Sequence, residues 1–234
     1  CGIKNSQLRA LLKQNIQLTV VNLNYNFVDE VFENRYNGIF LSNGPGDPKY
    51  ATNAIEQLRR IFSSNLEIPI FGICFGHQLI GLANNFDVTK MKYGNRGHNI
   101  PCRLSNTEKC YITSQNHGFE VKIDSNKDTK EWRELFVNCN DGSNEGLINI
   151  NKPFFSVQFH PEARAGPTDT TFLFDLFIDR CSKNFSIYEK IYDIIGYELN
   201  NEEFSYSNDY VKDIKNQIKK ILILGSGGLS IGQA

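Results

Sequence analysis

No excess of one charge marks this chain. Across 234 residues Lys and Arg total 25 against 26 Asp and Glu, a formal net charge of −1. That balance offers no electrostatic footprint for nucleic acid or an anionic membrane surface. No apolar run reaches eighteen residues, so no membrane-spanning helix is expected. The N-terminus has no basic stretch followed by an apolar one, so no secretory signal is read there, and the expected location is cytoplasmic. No CxxC pair occurs among the six scattered cysteines, Cys1, Cys74, Cys102, Cys110, Cys139 and Cys181, which argues against a zinc site. A chain this long does not need disulfides, and the pattern suits a reducing compartment. Internal repeats and low-complexity tracts are absent. There is no initiating Met, and both ends read as cut points in a longer polypeptide.

What is present is an ordinary globular composition, 40% hydrophobic and 22% charged. Short apolar runs alternate with segments of helical spacing. Ile16 to Leu23, Gly38 to Ser42 and Ile68 to Ile73 read as buried strands. Ala54, Ile55, Leu58, Ile61 and Phe62 form one helical stripe; Leu79, Ile80, Leu82, Ala83 and Phe86 form another. Strand and helix in alternation predict an α/β fold built on a mainly parallel, doubly wound sheet. After about residue 100 the runs CRLSN, CYITSQ, FEVKI, LFVNCN, GLINI and FFSVQF are short and alternating, which predicts an added small antiparallel sheet. From Thr171, FLFDLFIDRC reads as a closing helix.

These patterns divide the chain into a domain over residues 1–182, a polar linker over 183–218 with one helical patch from Ile187 to Leu199, and a new unit over 219–234. That unit opens with the strand KILIL, Lys220 to Leu224, followed by a Gly-rich turn that does not satisfy the phosphate-loop spacing.

The strongest local signal is Gly72-Ile73-Cys74-Phe75-Gly76-His77-Gln78. It follows an apolar strand and opens a helical pattern, as a nucleophile elbow does, with Cys in place of Ser. Such a turn forces the nucleophile into strained backbone geometry and needs small neighbours, here Gly72 and Gly76. The helix N-terminus favours a thiolate and points free N–H groups at a developing oxyanion. For the other five cysteines the structural reading is kept, as it is for His77 and His98. A nucleophilic Cys needs a base held by a third group. Phe159-His160-Pro161-Glu162 supplies both at the end of the FFSVQF run: Pro161 stiffens the turn, and Glu162 can reach the imidazole of His160 and fix its tautomer.

A Gly-x-Cys-x-Gly elbow followed by His-Pro-Glu resembles the triad glutamine amidotransferases. Ser42-Asn43-Gly44-Pro45-Gly46-Asp47-Pro48, Lys90-Met91-Lys92-Tyr93-Gly94-Asn95-Arg96-Gly97-His98-Asn99, Ser114-Gln115-Asn116-His117-Gly118-Phe119 and Gly166-Pro167-Thr168-Asp169 are similar to the carbamoyl-phosphate synthetase branch. KILILGSGGLSIGQA resembles the first strand and loop of an ATP-dependent synthetase half, as in the fused enzyme of pyrimidine synthesis.

The resemblance implies a glutaminase with Cys74, His160 and Glu162 as catalytic residues. Gly44, Gly46, Phe75, Gln78, Asn116, Gly118 and Phe119 would form the glutamine pocket, with the Phe75 and Gly46 amides as oxyanion donors. It implies glutamine as substrate and the chain's own synthetase domain as partner, with no nucleic acid or membrane. It implies no metal or cofactor in the glutaminase domain, and ATP and Mg for the synthetase half. It also places Cys1-Gly2-Ile3-Lys4 as the turn after the family's first sheet strand, so a sheet with that strand missing, and a gap in its place, is expected. Other readings stay open on the residues alone: a different triad amidotransferase, a glutamine-sensing module without turnover, or an unrelated Cys-elbow hydrolase.

Overall fold

The computed structural model describes residues 1–13, 16–123, 131–182 and 220–225. The expected linker over 183–218 lies outside them, as does all of the final unit except its strand. Nine strands form one sheet: β1 (Gln17–Val21), β2 (Gly38–Leu41), β3 (Ile70–Ile73), β4 (Asp87–Leu104), β5 (Cys110–Lys122), β6 (Trp132–Asn138), β7 (Asn144–Asn149), β8 (Phe154–Val157) and β9 (Lys220–Leu224). Their order is β1-β9-β2-β3-β8-β7-β6-β4-β5. From β1 to β8 each neighbouring pair is parallel. From β8 to β5 each is antiparallel, so the expected antiparallel strands continue the parallel sheet edge to edge.

The central strands are Ile-, Phe- and Leu-rich and wholly buried because helices cover both faces. One face packs α1 (Asn5–Leu12) and α5 (Phe172–Cys181) through Leu11, Leu173, Phe174 and Phe177 onto Phe40, Phe71 and Phe155. The other packs α2 (Val28–Phe32), α3 (Thr52–Phe62) and α4 (Phe75–Ala83) through Val31, Leu58 and Leu79 onto Ile39, Leu41 and Ile70. In α3, Ala54, Ile55, Leu58 and Ile61 of the stripe read from the sequence are buried, and its fifth member, Phe62, is partly buried. No helix among the described residues is long and apolar enough to cross a membrane.

Three expectations change. The strand read within Ile16 to Leu23 is not buried: β1 ends the strand order and exposes Gln17 and Val20. CYITSQ and FEVKI are not separate strands: Asn116-His117-Gly118 lies inside β5, where Asn116 pairs with Arg96 and His117 with Asn95 of β4. Turn-forming residues are accommodated there by register shifts on β4, between Lys90 and Asn95 and between Gly97 and Ile100. The expected sheet gap is also not present. β9 lies between β1 and β2, parallel to both, with Ile221, Leu222, Ile223 and Leu224 wholly buried. A run of four apolar residues satisfies both faces of a central parallel position, and leaving β2 with an open edge would strand its ladder groups.

Candidate active site

The C-terminal ends of β2, β3 and β8 lie side by side, and each releases a segment of the site. Cys74 follows β3 and is the N-cap of α4, with φ 53° and ψ −98°. A non-glycine residue held there costs on the order of 1–3 kcal/mol. The surroundings enforce it. The Cys74 N–H donates to Val157 O of β8 at 2.8 Å, while the Cys74 carbonyl accepts from Gln78 N at 3.1 Å to start the helix. A Cβ on Gly72 would lie 2.8 Å from the Gly76 carbonyl carbon, and one on Gly76 would overlap the Leu41 carbonyl oxygen. The two glycines therefore let α4 start against β2 and β3. The amides of Phe75, Gly76 and His77 fall in the first turn, where no helical carbonyl reaches them.

His160 is brought in by β8 and fixed by its own N–H, which donates to Ser114 O of β5 at 2.8 Å. Its Nδ1–H donates to Glu162 Oε1 at 2.9 Å, and the Cys74 sulfur is near enough to attract its charged form. Both His160 and Glu162 are buried. Burial works against charge on each, and the pair overcomes it: attraction to Glu162 and Cys74 raises His160 to about 10, and attraction to His160 lowers Glu162 to about 2. The site therefore stores an imidazolium against a carboxylate at neutral pH, beside the Cys74 sulfur.

Lys4 is a third member that reading the sequence missed. Its Nζ lies 3.3 Å from Glu162 Oε1 and 3.5 Å from His160 Nδ1. Because Nδ1 already carries the hydrogen given to Glu162, the ion pair with the carboxylate is the attractive contact. Nothing local in Cys1-Gly2-Ile3-Lys4 signals a partner 156 residues away.

The expected pocket residues are placed as follows. Asn116 presents its carbonyl oxygen 4.0 Å from Cys74 Sγ. Gln78, one turn into α4, is buried; its Nε2 donates to Gln158 Oε1 at 3.2 Å and to Phe119 O at 3.4 Å. Gly118 and Phe119 follow Asn116 on β5, and Phe119 packs partly into the core. Cys74, His160, Glu162, Gln78, Asn116 and Phe119 thus form one connected cluster. Gly44 and Gly46 lie on the loop leaving β2. Gly44 packs on Cys1 and Gly2, with a Cβ placed there only 3.0 Å from Cys1 Cα, and Gly46 has φ 90°. The Gly2 N–H donates to Asn43 O, and Ser42 Oγ donates to Leu224 O of β9 at 3.0 Å, so this loop is tied down at both sides.

His77 and His98 take structural places. His77 Nδ1 bonds Ser156 Oγ at 2.9 Å, and burial, with the nearby His117, lowers it to about 3, so it stays neutral. His98 Nδ1 bonds Ser114 Oγ at 2.9 Å. Gln158 was not singled out in the sequence, because a Gln in an apolar strand end carries no motif.

Residues 1–180 match the glutamine amidotransferase class-I family. Over its full length the chain is 48% identical to the multifunctional protein ura1 of Schizosaccharomyces pombe and 45% identical to the multifunctional protein CAD of Squalus acanthias. It spans 10% of the length of each. Over 81% of its length it is 47% identical to the carbamoyl phosphate synthase arginine-specific small chain of Candida albicans, of which it covers 42%. A putative GMP synthase protein from Thermoplasma acidophilum shares the fold, with a TM-score of 0.62 and 19% identity over 77% of this chain and 89% of that one.

Proposed function

The chain belongs to the class-I glutamine amidotransferase family, and on that premise we propose that it hydrolyses glutamine through a thioester on Cys74 and supplies the ammonia for carbamoyl-phosphate synthesis. The observation that carries this reading is the strained Cys74 at the α4 N-terminus, beside a buried His160 that it attracts electrostatically and that Glu162 holds at 2.9 Å.

In this reading the Cys74 thiolate, the counter-charge of the His160 imidazolium, attacks the carboxamide carbon of glutamine. The Phe75 amide, and that of Gly46 from the neighbouring loop, take the developing oxyanion. His160, protonated at neutral pH, gives its Nε2 proton to the leaving ammonia. Now neutral, it takes a proton from the water that opens the thioester, and glutamate leaves with Cys74 restored. Glu162 keeps the Nδ1–H of His160 pointed at itself, which leaves Nε2 for the reaction. Gln78, Asn116, Gly118 and Phe119 hold the amino-acid end of the substrate.

The relatives' names motivate the rest of the proposal. Residues 1–182 form the glutaminase part, residues 183–218 join it to a synthetase half, and the segment from Lys219 opens that half. The synthetase half uses ATP and Mg with bicarbonate, in pyrimidine synthesis and in the cytoplasm, and the partner of this site is the chain's own synthetase domain.

The test is labelling with a glutamine-like chloroketone, with and without excess glutamine, and mapping of the adduct by mass spectrometry. A single adduct on Cys74, suppressed by glutamine, is expected. Folded protein that takes up no label at Cys74 would refute the catalytic reading and leave a glutamine-sensing module.

A further inference from the structure

Strand β7 carries a carboxylate into the interior where the mechanism above has no use for one. Glu145 is wholly buried. Its Oε1 accepts from Asn138 Nδ2 at 3.0 Å and from Ser143 Oγ at 3.5 Å, and lies 3.8 Å from His117 Nε2 on β5. Its Oε2 has no hydrogen-bond partner among the described residues. A buried carboxylate so thinly satisfied is costly unless it serves a neighbour or holds a proton.

That neighbour is His117. Its Nδ1 faces Phe119 O at 2.9 Å and its Nε2 faces Gln115 Oε1 at 3.0 Å. Both partners are oxygen acceptors, so the ring satisfies both only when it carries two protons, with Glu145 as counter-charge. Burial pulls the other way, pushing Glu145 up to about 8 and His117 down to about 4, which favours a neutral acid beside a neutral imidazole. The two arrangements contain the same protons and the same net charge of zero. Below about pH 8 the pair retains that shared proton whichever side holds it. Other titratable groups face the pair. Asp141 raises both members, Arg96 and His160 lower His117, and Cys102 and His77 lie within the same electrostatic neighbourhood.

Phe119 O links this pair to the site. It accepts from Gln78 Nε2 at 3.4 Å as well as bonding His117, and Gln78 sits one turn beyond Cys74. We propose that Glu145 is a positioning residue of the glutamine pocket: the proton it shares with His117 holds the Asn116–Phe119 stretch of β5 against Gln78. This rests on the reading of that stretch as the glutamine-binding wall. Loss of the proton places an uncompensated negative charge behind a wall meant for the α-carboxylate end of the substrate.

The experiment measures KM and kcat for glutamine between pH 6 and 9.5 in the full chain and in its Glu145→Gln and Glu145→Leu variants. The Gln side chain keeps an oxygen for Asn138 and Ser143 and offers an N–H to His117, but it cannot ionise. The wild-type KM is expected to rise about tenfold as pH passes about 8, whereas the KM of Glu145→Gln shows no such rise; the two kcat profiles run parallel. Glu145→Leu is expected to raise KM about tenfold at every pH. A merely structural role would lower the melting temperature and leave KM against pH parallel in wild type and Glu145→Gln. That parallel result overturns the proposal, and it decides the matter even if Glu145→Leu fails to fold. If wild type hydrolyses glutamine but the profiles are parallel, only the role of Glu145 falls. If wild type neither hydrolyses glutamine nor is labelled at Cys74, the glutaminase reading falls and this one with it.

Discussion

Replacing Glu162 by Gln removes one charge and little else. The amide oxygen can still accept the Nδ1–H of His160 now given to Glu162 Oε1 at 2.9 Å. What disappears is the attraction that, together with Cys74, lifts the buried imidazole to about 10 against the downward effect of burial. With Cys74 alone opposing burial, His160 is expected to return to its ordinary value of about 6.5 or below. At pH 7.5 the imidazolium then falls from an excess of about 300 to 1 to a minority of about 1 to 10. Because the amide oxygen still fixes the tautomer, loss of the protonated general acid alone is expected to lower kcat at pH 7.5 by about tenfold. The direction against pH is set by a raised native value: the protonated form is complete at low pH and disappears as pH rises through it. Wild-type glutamate release at saturating glutamine is therefore expected to hold to about pH 9 and fall toward 10, whereas the variant declines from about 6.5. A variant that keeps the wild-type plateau and a kcat within about threefold would refute the pairing as the source of the raised imidazole.

Lys4→Met removes the cation 3.3 Å from Glu162 Oε1. Lys4 is itself partly exposed, so the expected loss of stability to urea is modest, about 1 kcal/mol at neutral pH. Glu162 has a lowered native value, so its stabilisation is present above the ordinary carboxylate range and is lost as pH falls toward about 2; the two stability curves are expected to converge in acid. A gap that persists unchanged in acid would assign Lys4 to packing instead. Gly76→Ala places a methyl group on the Leu41 carbonyl oxygen, and since neither β2 nor α4 can withdraw, a destabilisation of about 3 kcal/mol or more is expected in the urea midpoint. A loss under about 1 kcal/mol would mean that α4 can slide away from the sheet.

Elements whose whole cause is local were readable in the sequence. Ala54, Ile55, Leu58 and Ile61 recur at helical spacing, and α3 buries those positions. Gly72 and Gly76 bracket Cys74, and the turn between them has the positive φ that the motif requires. His160 and Glu162 are two residues apart, so their bond is local too. Features caused at long range were not readable. Asn116-His117-Gly118 has the composition of a turn, yet pairing with Asn95 and Arg96 keeps it extended. Glu145 sits in Asp141-Gly142-Ser143-Asn144-Glu145-Gly146, which reads as a polar connection; only the fold reveals that Asn138, Ser143 and His117 surround it in the interior. Lys4 meets Glu162 because α1 and the segment after β8 converge near the same end of the sheet, and no pattern in either segment encodes that meeting.

Strand β9 carries two assignments, and one experiment separates them. By resemblance Lys220 to Leu224 opens a synthetase half; by pairing it lies within the nine-stranded sheet between β1 and β2. Its position reaches the pocket. Leu224 O accepts from Ser42 Oγ at 3.0 Å, and the next residue, Gly225, donates its N–H to Val21 O at 2.8 Å, so the strand end braces the loop that carries Gly44 and Gly46. Ile221, Leu222, Ile223 and Leu224 are wholly buried, contributing to the cores on both faces of the sheet. Leu222→Asp would place a carboxylate in the core shared by α2, α3 and α4, at a cost of several kcal/mol. If the strand is integral to the sheet, that variant is expected to lower the melting temperature sharply, and Glu or Asp at Leu222 is expected to raise KM for glutamine in any protein that still folds. Ser42 and the loop beyond it would lose their support. If the strand belongs elsewhere in the assembled protein, Leu222→Asp leaves glutamine hydrolysis and Cys74 labelling as they are and impairs only the ATP-dependent reaction proposed for the synthetase half. The second result would mean that β1 and β2 take another strand between them, since two parallel strands with unpaired inner edges do not stay open in a buried sheet.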